Sequence, residues 1–231
     1  VFARNGGEIF LEEVDINGAG VIVGSGGTAI LDEGCSIEDT RNALTNIGGT
    51  ISSNSTTSSN VERHLYSYGG EGTTLVRDES IGGNYVLSTA IDVGFSIYST
   101  RIDECAFSSF WRGTRVEDTD LIGDADHIAP IDGGNNSIQA TTFGLMALND
   151  GVIDFGGFIL NPVEEALNEI VLDVPGYHGF TDASSHIFAR HCWWEPLDNG
   201  HIPPISVSGD VGITRCGNMT RFYSHRVTVR G

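Results

Sequence analysis

The densest run of chemically capable side chains is Glu117-Asp118-Thr119-Asp120-Leu121-Ile122-Gly123-Asp124-Ala125-Asp126-His127, with Asp132 close behind. Two carboxylates converging on one groove can cleave a glycosidic bond, one as acid and the other as base or nucleophile. Alternate residues of a strand share a face, so Asp118 groups with Asp120, and Asp124 with Asp126, as candidate catalytic carboxylates. Asp124, Asp126 and Asp132 would equally supply the oxygen ligands taken by Ca²⁺ or another hard cation. Against both stands the plain reading of a solvated surface, because thirty-one Asp and Glu in the chain make local clusters common by composition alone.

A second group is His186-Ile187-Phe188-Ala189-Arg190-His191-Cys192-Trp193-Trp194-Glu195, with His178 and Asp182 upstream and His201 downstream. Histidine is the usual metal ligand and neutral-pH base. In a strand, however, His186 and His191 fall on opposite faces, and no HExxH spacing is present. Trp193 and Trp194 are adjacent, which places one indole in the core and the other outside, where it would serve as a platform for a sugar ring or a protein partner. A core or subunit interface is the competing role for the pair. Nucleophilic catalysis finds no support: there is no GxSxG elbow, and Gly24-Ser25-Gly26-Gly27 lacks the lysine of a phosphate loop.

The elements that must position these residues read almost entirely as strands. Short β-branched runs such as Glu8–Val14, Gly20–Val23, Thr28–Leu31, Thr73–Val76, Tyr85–Ser88 and Phe95–Ile102 alternate with Gly, Asn, Asp and Ser. Further runs follow at Val152–Leu160, His186–His191 and Phe222–Val229. One helix is predicted over Asn161–Val171, from its Asn cap, Pro162 at the first helical position and acids in the first turn. A weaker helical pattern covers Ser36–Leu44. The polar stretch Ile47–Asn60 reads as a loop or hinge dividing an N-terminal strand-rich segment, residues 1–60, from a second segment, residues 61–231. Intervals of 22 residues recur: Val116, Ile138 and Leu160; Leu121 and Phe143; Ile131 and Ile153; Ile205–Val207 and Val227–Val229. One turn of a right-handed parallel β-helix takes roughly this length. Four separated cysteines form no CxxC pair, which weighs against a zinc ribbon.

Composition adds a physical setting. All twelve basic residues are arginine, there is no lysine, and the formal net charge is −19. Such self-repulsion disfavours compaction in dilute buffer and is screened in molar salt, where the Debye length is about 3 Å. The composition resembles proteins of saturated brine, those of haloarchaea and their viruses. Gly6-Gly7-Glu8-Ile9-Phe10-Leu11, Ser99–Phe107 and Gly209–Cys216 resemble the strand entry and single rungs of β-helix tailspikes and pectate-lyase-like proteins. The expected fold is therefore all-β, a short parallel β-helix, with a β-sandwich or jelly roll as the alternative. The resemblance implies a structural surface protein of a haloarchaeal virion: a capsid turret, a decoration protein, or a tail spike or fibre. Such proteins assemble with copies of themselves, typically as homotrimers, and with other virion proteins, and they attach to host glycan or S-layer. The alternative function is a polysaccharide-degrading lyase or hydrolase of the β-helix type, extracellular or viral. Nucleic acid is excluded as a partner by the charge, and no apolar run approaches the ~20 residues that span a bilayer. The first residues are not those of a signal peptide.

Overall fold

In the computed structural model the chain is described at residues 1–69, 73–77, 79–84, 87–96, 100–122, 136–155, 168–172, 177–182, 184–195, 205–207, 211–217 and 221–227. Only the backbone is described at 77, 122, 177–178 and from 188 onward.

The chain winds as successive turns of three strands. The first turn is β1 (Phe2–Ala3), β2 (Glu8–Leu11) and β3 (Asp15–Asn17); the second is β4 (Val21–Gly24), β5 (Thr28–Leu31) and β6 (Ser36–Glu38). The third is β7 (Asn42–Ile47), β8 (Thr50–Asn54) and β9 (Thr57–Val61), and the fourth is β10 (Arg63–Tyr68), β11 (Thr73–Arg77) and β12 (Ser80–Gly83). Then come β13 (Thr89–Gly94), β14 (Thr100–Asp103), β15 (Ala106–Glu117), β16 (Asp120–Ile122), β17 (Ser137–Leu148), β18 (Val152–Asp154) and β19 (Glu169–Leu172). The last are β20 (Tyr177–Thr181), β21 (His186–Glu195), β22 (Ile205–Val207), β23 (Val211–Gly217) and β24 (Arg221–Val227).

Each strand pairs in parallel with its equivalent one turn on, so three parallel sheets enclose one core. Face one runs β1-β4-β7-β10-β13 and on through β15, β17, β20 and β22. Face two runs β2-β5-β8-β11-β14-β16-β18-β21-β23, and β24 closes it as an antiparallel partner of β23. Face three runs β3-β6-β9-β12 and on through β15, β17, β19 and β21. The long strands β15, β17 and β21 bend from one face to another and so serve two sheets. This is a parallel β-helix; parallel pairing of neighbouring turns rules out the sandwich, whose strands would pair antiparallel.

The core is built of stacked columns. On face three Ile16, Ile37, Ser58, Ile81, Phe107, Ile138 and Ile170 follow one another in register, all buried. At the corner before that face, an asparagine ladder satisfies backbone groups that no strand can pair. Asn136 Nδ2 donates to Asn168 Oδ1 at 2.9 Å, Cys105 N–H donates to Asn136 Oδ1 at 3.1 Å, and Asn168 Nδ2 reaches the Phe155 carbonyl at 2.9 Å. Buried amides are thereby kept satisfied, which the interior demands.

Four sequence-based expectations are corrected. Ser36–Leu44 is not helical but contains β6 and the start of β7. The predicted helix at Asn161–Val171 meets β19 from Glu169 onward, and residues 161–167 lie outside the described residues; no helix occurs among those described. The polar stretch 47–60 is no loop or hinge: it carries β8 and β9, pairing continues across residue 61, and Ile51, Ser53, Ser58 and Val61 point inward. Small hydroxyl side chains fill inward positions there as readily as apolar ones, so the polarity of the run misleads. The 22-residue interval is the register in an early turn, where Thr28 pairs with Thr50, but not at the later positions that suggested it. Val116 pairs with Ala147, Leu121 with Ile153, and Ile138 with Ile170, because the later turns grow to 32 residues, as between Asn136 and Asn168.

Candidate ligand-binding face

Outward positions of face one bring distant residues together. Tyr66, Asp92 and Arg115 are successive register partners; so are Tyr68, Gly94 and Glu117, and so are Arg63, Thr89, Arg112 and Phe143. Because alternate residues of a pleated strand face the same way, each turn contributes one or two groups to the same patch.

Asp92 is the hub. It is almost fully buried, and it accepts from Arg63 Nε at 2.9 Å, from the Tyr68 hydroxyl at 3.0 Å and from Arg115 Nη1 at 3.2 Å. Arg115 also donates to the Tyr68 hydroxyl and, through Nη2, to Glu117. Glu117 in turn accepts from Asn149 Nδ2 at 2.6 Å, and the Asn149 N–H donates to Asp182 at 2.6 Å. Arg63 adds Glu62 at 3.0 Å and lies 5.3 Å from the Tyr66 ring centre. Burial first, and then the charge of Asp92, push the Tyr68 phenol far above its ordinary range, so it stays a neutral donor. Burial alone would lower the Arg115 guanidinium, but Tyr68, Asp92 and Glu117 outweigh it and hold the cation more firmly charged. Gly94 permits this packing, since a Cβ there would sit 2.8 Å from the Tyr68 ring and 3.0 Å from the Glu117 carbonyl.

Aromatic rings flank the ion lattice. Tyr66 and Tyr68 stack at 4.8 Å, and Tyr68 meets Phe95 at 6.0 Å. On the other side Trp111, Phe143 and Phe180 form an edge-to-face ladder with spacings of 5.7 and 6.0 Å. Arg112 lies over Trp111, 4.7 Å from its ring centre. Aromatic groups with one wet face, set among fixed donors and acceptors, are the makings of a sugar-binding surface.

A second polar group lies inside. The hydroxyl of Ser58 is 3.1 Å from His64 Nδ1, and His64 Nε2 is 2.8 Å from Glu79. The order hydroxyl, imidazole, carboxylate is that of a nucleophilic triad. All three are sealed in the core, with Ser58 4%, His64 0% and Glu79 2% exposed, so no substrate reaches them. Neither His64 Nε2 nor the Glu79 carboxylate has a well-aligned hydrogen bond despite the short approach. Cys105 lies in the neighbouring turn, and burial, followed by the charge of Glu79, raises its thiol far above the ordinary range, which makes it inert.

The sequence-derived candidates are distributed differently. Asp118 and Asp120 do not share a strand: Asp118 occupies a left-handed turn (φ 48°) after β15, while Asp120 opens β16, and both are exposed. Asp124, Asp126 and Asp132, and with them the proposed Ca²⁺ ligands, lie outside the described residues. Trp193 and Trp194 are register partners of Glu169 and buried Ile170 in β19, and their side chains are outside the described set. Among the described residues no group of three His, Cys, Asp or Glu side chains is placed to hold a metal. Among the described residues of the acidic run, Glu117 joins the face-one patch. Arg63, Asp92 and Arg115 escaped the sequence reading because they lie more than twenty residues apart and form no motif.

The chain matches no known protein family, no curated protein and no solved structure.

Proposed function

We propose that the protein is a structural surface component of a haloarchaeal virion, a turret, decoration or tail-spike element, that attaches through glycan contacts on face one. The observation that carries this reading is the aromatic frame, Tyr66–Tyr68–Phe95 on one side and Trp111–Phe143–Phe180 on the other, around a locked Arg63–Asp92–Arg115–Glu117 lattice. A stack of paired turns gives a rigid platform, so the rings are held ready and little ordering is needed on binding. The lysine-free, acidic composition supports a high-salt setting. Assembly as a homotrimer would repeat the face and turn weak contacts into avid attachment.

The same lattice favours attachment over cleavage. Among the described residues, the face-one carboxylates Asp92 and Glu117 already accept hydrogen bonds from arginine, so their oxygens are engaged in the lattice and not turned toward a substrate. The test is incubation of the folded protein with haloarchaeal envelope glycans in molar salt, with binding and fragment release followed together. Binding without release is the expected result; release of oligosaccharides would replace attachment with depolymerisation, and absence of binding would overturn the glycan face.

A further inference from the structure

We infer that Arg112 is the anion-reading residue of this face, its guanidinium taking the carboxylate or sulfate of an acidic sugar whose ring lies against Trp111 and Phe143. The inference rests on the glycan-face reading and names the class of sugar.

The observation behind it is a cation with no ionic partner among the described residues. Arg41 and Arg63 hold Glu62, Arg63 and Arg115 share Asp92, and Arg115 holds Glu117. Arg112 stands in the same patch, in register with Arg63 through Thr89, yet among the described residues it has no ion pair, and its Nε is shielded from solvent with no hydrogen-bond partner. Shortage of acids does not explain this, since the chain carries thirty-one of them against twelve arginines. A partly buried guanidinium with unmet donors is costly unless something compensates. Burial, followed by the charges of Arg115 and Arg63, depresses its pKa even though Asp92 acts the other way.

Its setting selects the ligand. Arg112 lies over the Trp111 ring, 4.7 Å from its centre, and a guanidinium there can make a forked contact to two oxygens of a carboxylate or sulfate. Phe143, the register partner of Arg112 one turn on, meets Trp111 edge to face and widens the apolar platform for the ring. Elsewhere the chain is strongly negative and repels anions at low salt. In brine, long-range attraction is extinguished within about 3 Å, so an anion can be read only by direct contact in a sheltered site. Arg112 supplies such a contact.

The test is calorimetric titration in molar NaCl with three probes of equal length: a neutral galactan oligosaccharide, its sulfated counterpart and an oligogalacturonate. The wild type is expected to bind at least one anionic probe about ten- to a hundredfold more tightly than the neutral one. Arg112→Gln, which removes the charge and the forked guanidinium, should abolish the preference for that probe over the neutral one without lowering the melting temperature. The two anionic probes separate a sulfate reader from a carboxylate reader. Equal binding of all probes by the wild type, or an anionic preference that survives Arg112→Gln, overturns this inference and leaves the glycan face standing. Failure of every probe to bind overturns both.

Discussion

At the scale of single residues, the chain spends its polar groups in two contrasting ways. The interior pair of His64 and Glu79 is fully sealed and imperfectly aligned. Burying two such groups costs several kcal/mol each, and their mutual attraction roughly offsets this. Removing one partner should therefore be far worse than removing both. His64→Leu is expected to lose about 3–5 kcal/mol of stability, and His64→Leu with Glu79→Leu to come back to near the wild-type value. Urea unfolding in molar salt measures both, and a double variant as unstable as the sum of the singles would show that the two groups are not coupled. On the surface, Asp182 behaves oppositely. Burial would raise its carboxyl, but the Asn149 N–H, Ser185 and Ser184 donate to it and together hold it below its ordinary value. A depressed folded pKa means stability that is present above the unfolded value of about 3.9 and lost as pH falls through the folded one. Asp182→Asn should thus be less stable than wild type at neutral pH, with the gap closing below about pH 4; a gap independent of pH would mean that the charge is irrelevant. The interior group was not legible in the sequence as a site, and Asp182 stood out there only as a neighbour of the histidine run. Ser58, His64 and Glu79 match no motif spacing, and only the winding of the chain brings them together.

At the scale of elements, strand character was readable and register was not. β-branched runs bounded by Gly, Asn and Asp marked β4, β5 and β11 correctly, because their inward positions are aliphatic or Thr. The polar strands β8 and β9 were missed because the core accepts Ser53, Thr56 and Ser58 and satisfies them locally, as in the 3.2 Å contact between Ser53 and Thr56. Alternation then carries no hydropathy signal, and only the contact itself reveals the strand. Turn length was equally hidden, since insertions at corners leave the stacked columns intact. The corners themselves impose sharp limits. A Cβ at Gly49 would lie 2.3 Å from a Val23 methyl and 2.7 Å from the carbonyls of Gly24 and Gly27. Backbone cannot yield there, so Gly49→Ala is expected to cost about 3 kcal/mol by overpacking. Gly94→Ala meets mainly the Tyr68 ring, which can swing away, so it should cost less stability while breaking the Tyr68–Asp92 bond and weakening the proposed glycan contact. Thermal melts and titrations on both variants check the contrast; equal stability losses would mean that the Tyr68 ring is as fixed as backbone.

At the scale of the whole molecule, two electrostatic effects of opposite salt dependence compete. The net charge of −19 repels itself, and that repulsion grows as salt is removed and the Debye length lengthens from about 3 Å in molar salt to about 30 Å at 0.01 M. The Asp92 lattice is attractive and partly buried, so it is screened little at any salt and strengthens modestly on dilution. Local pairs involve a handful of arginines, whereas the chain's thirty-one acids outnumber its twelve arginines and leave nineteen negative charges unneutralised. Repulsion therefore wins, and the melting temperature should fall as NaCl is dialysed away. Asp92→Asn separates the two effects. Removing one negative charge relieves a little of the global repulsion, yet it strips Arg63 and Arg115 of their shared acceptor. The variant should be destabilised by roughly 2–4 kcal/mol in molar salt, with a gap that persists or widens slightly in dilute buffer while both proteins lose stability together. A wild type whose melting point ignores salt would remove the physical basis for a brine habitat, whatever the fate of the lattice. A gap for Asp92→Asn that vanishes in molar salt would show instead that the lattice is an ordinary exposed ion-pair array and not the rigid floor that a binding face requires.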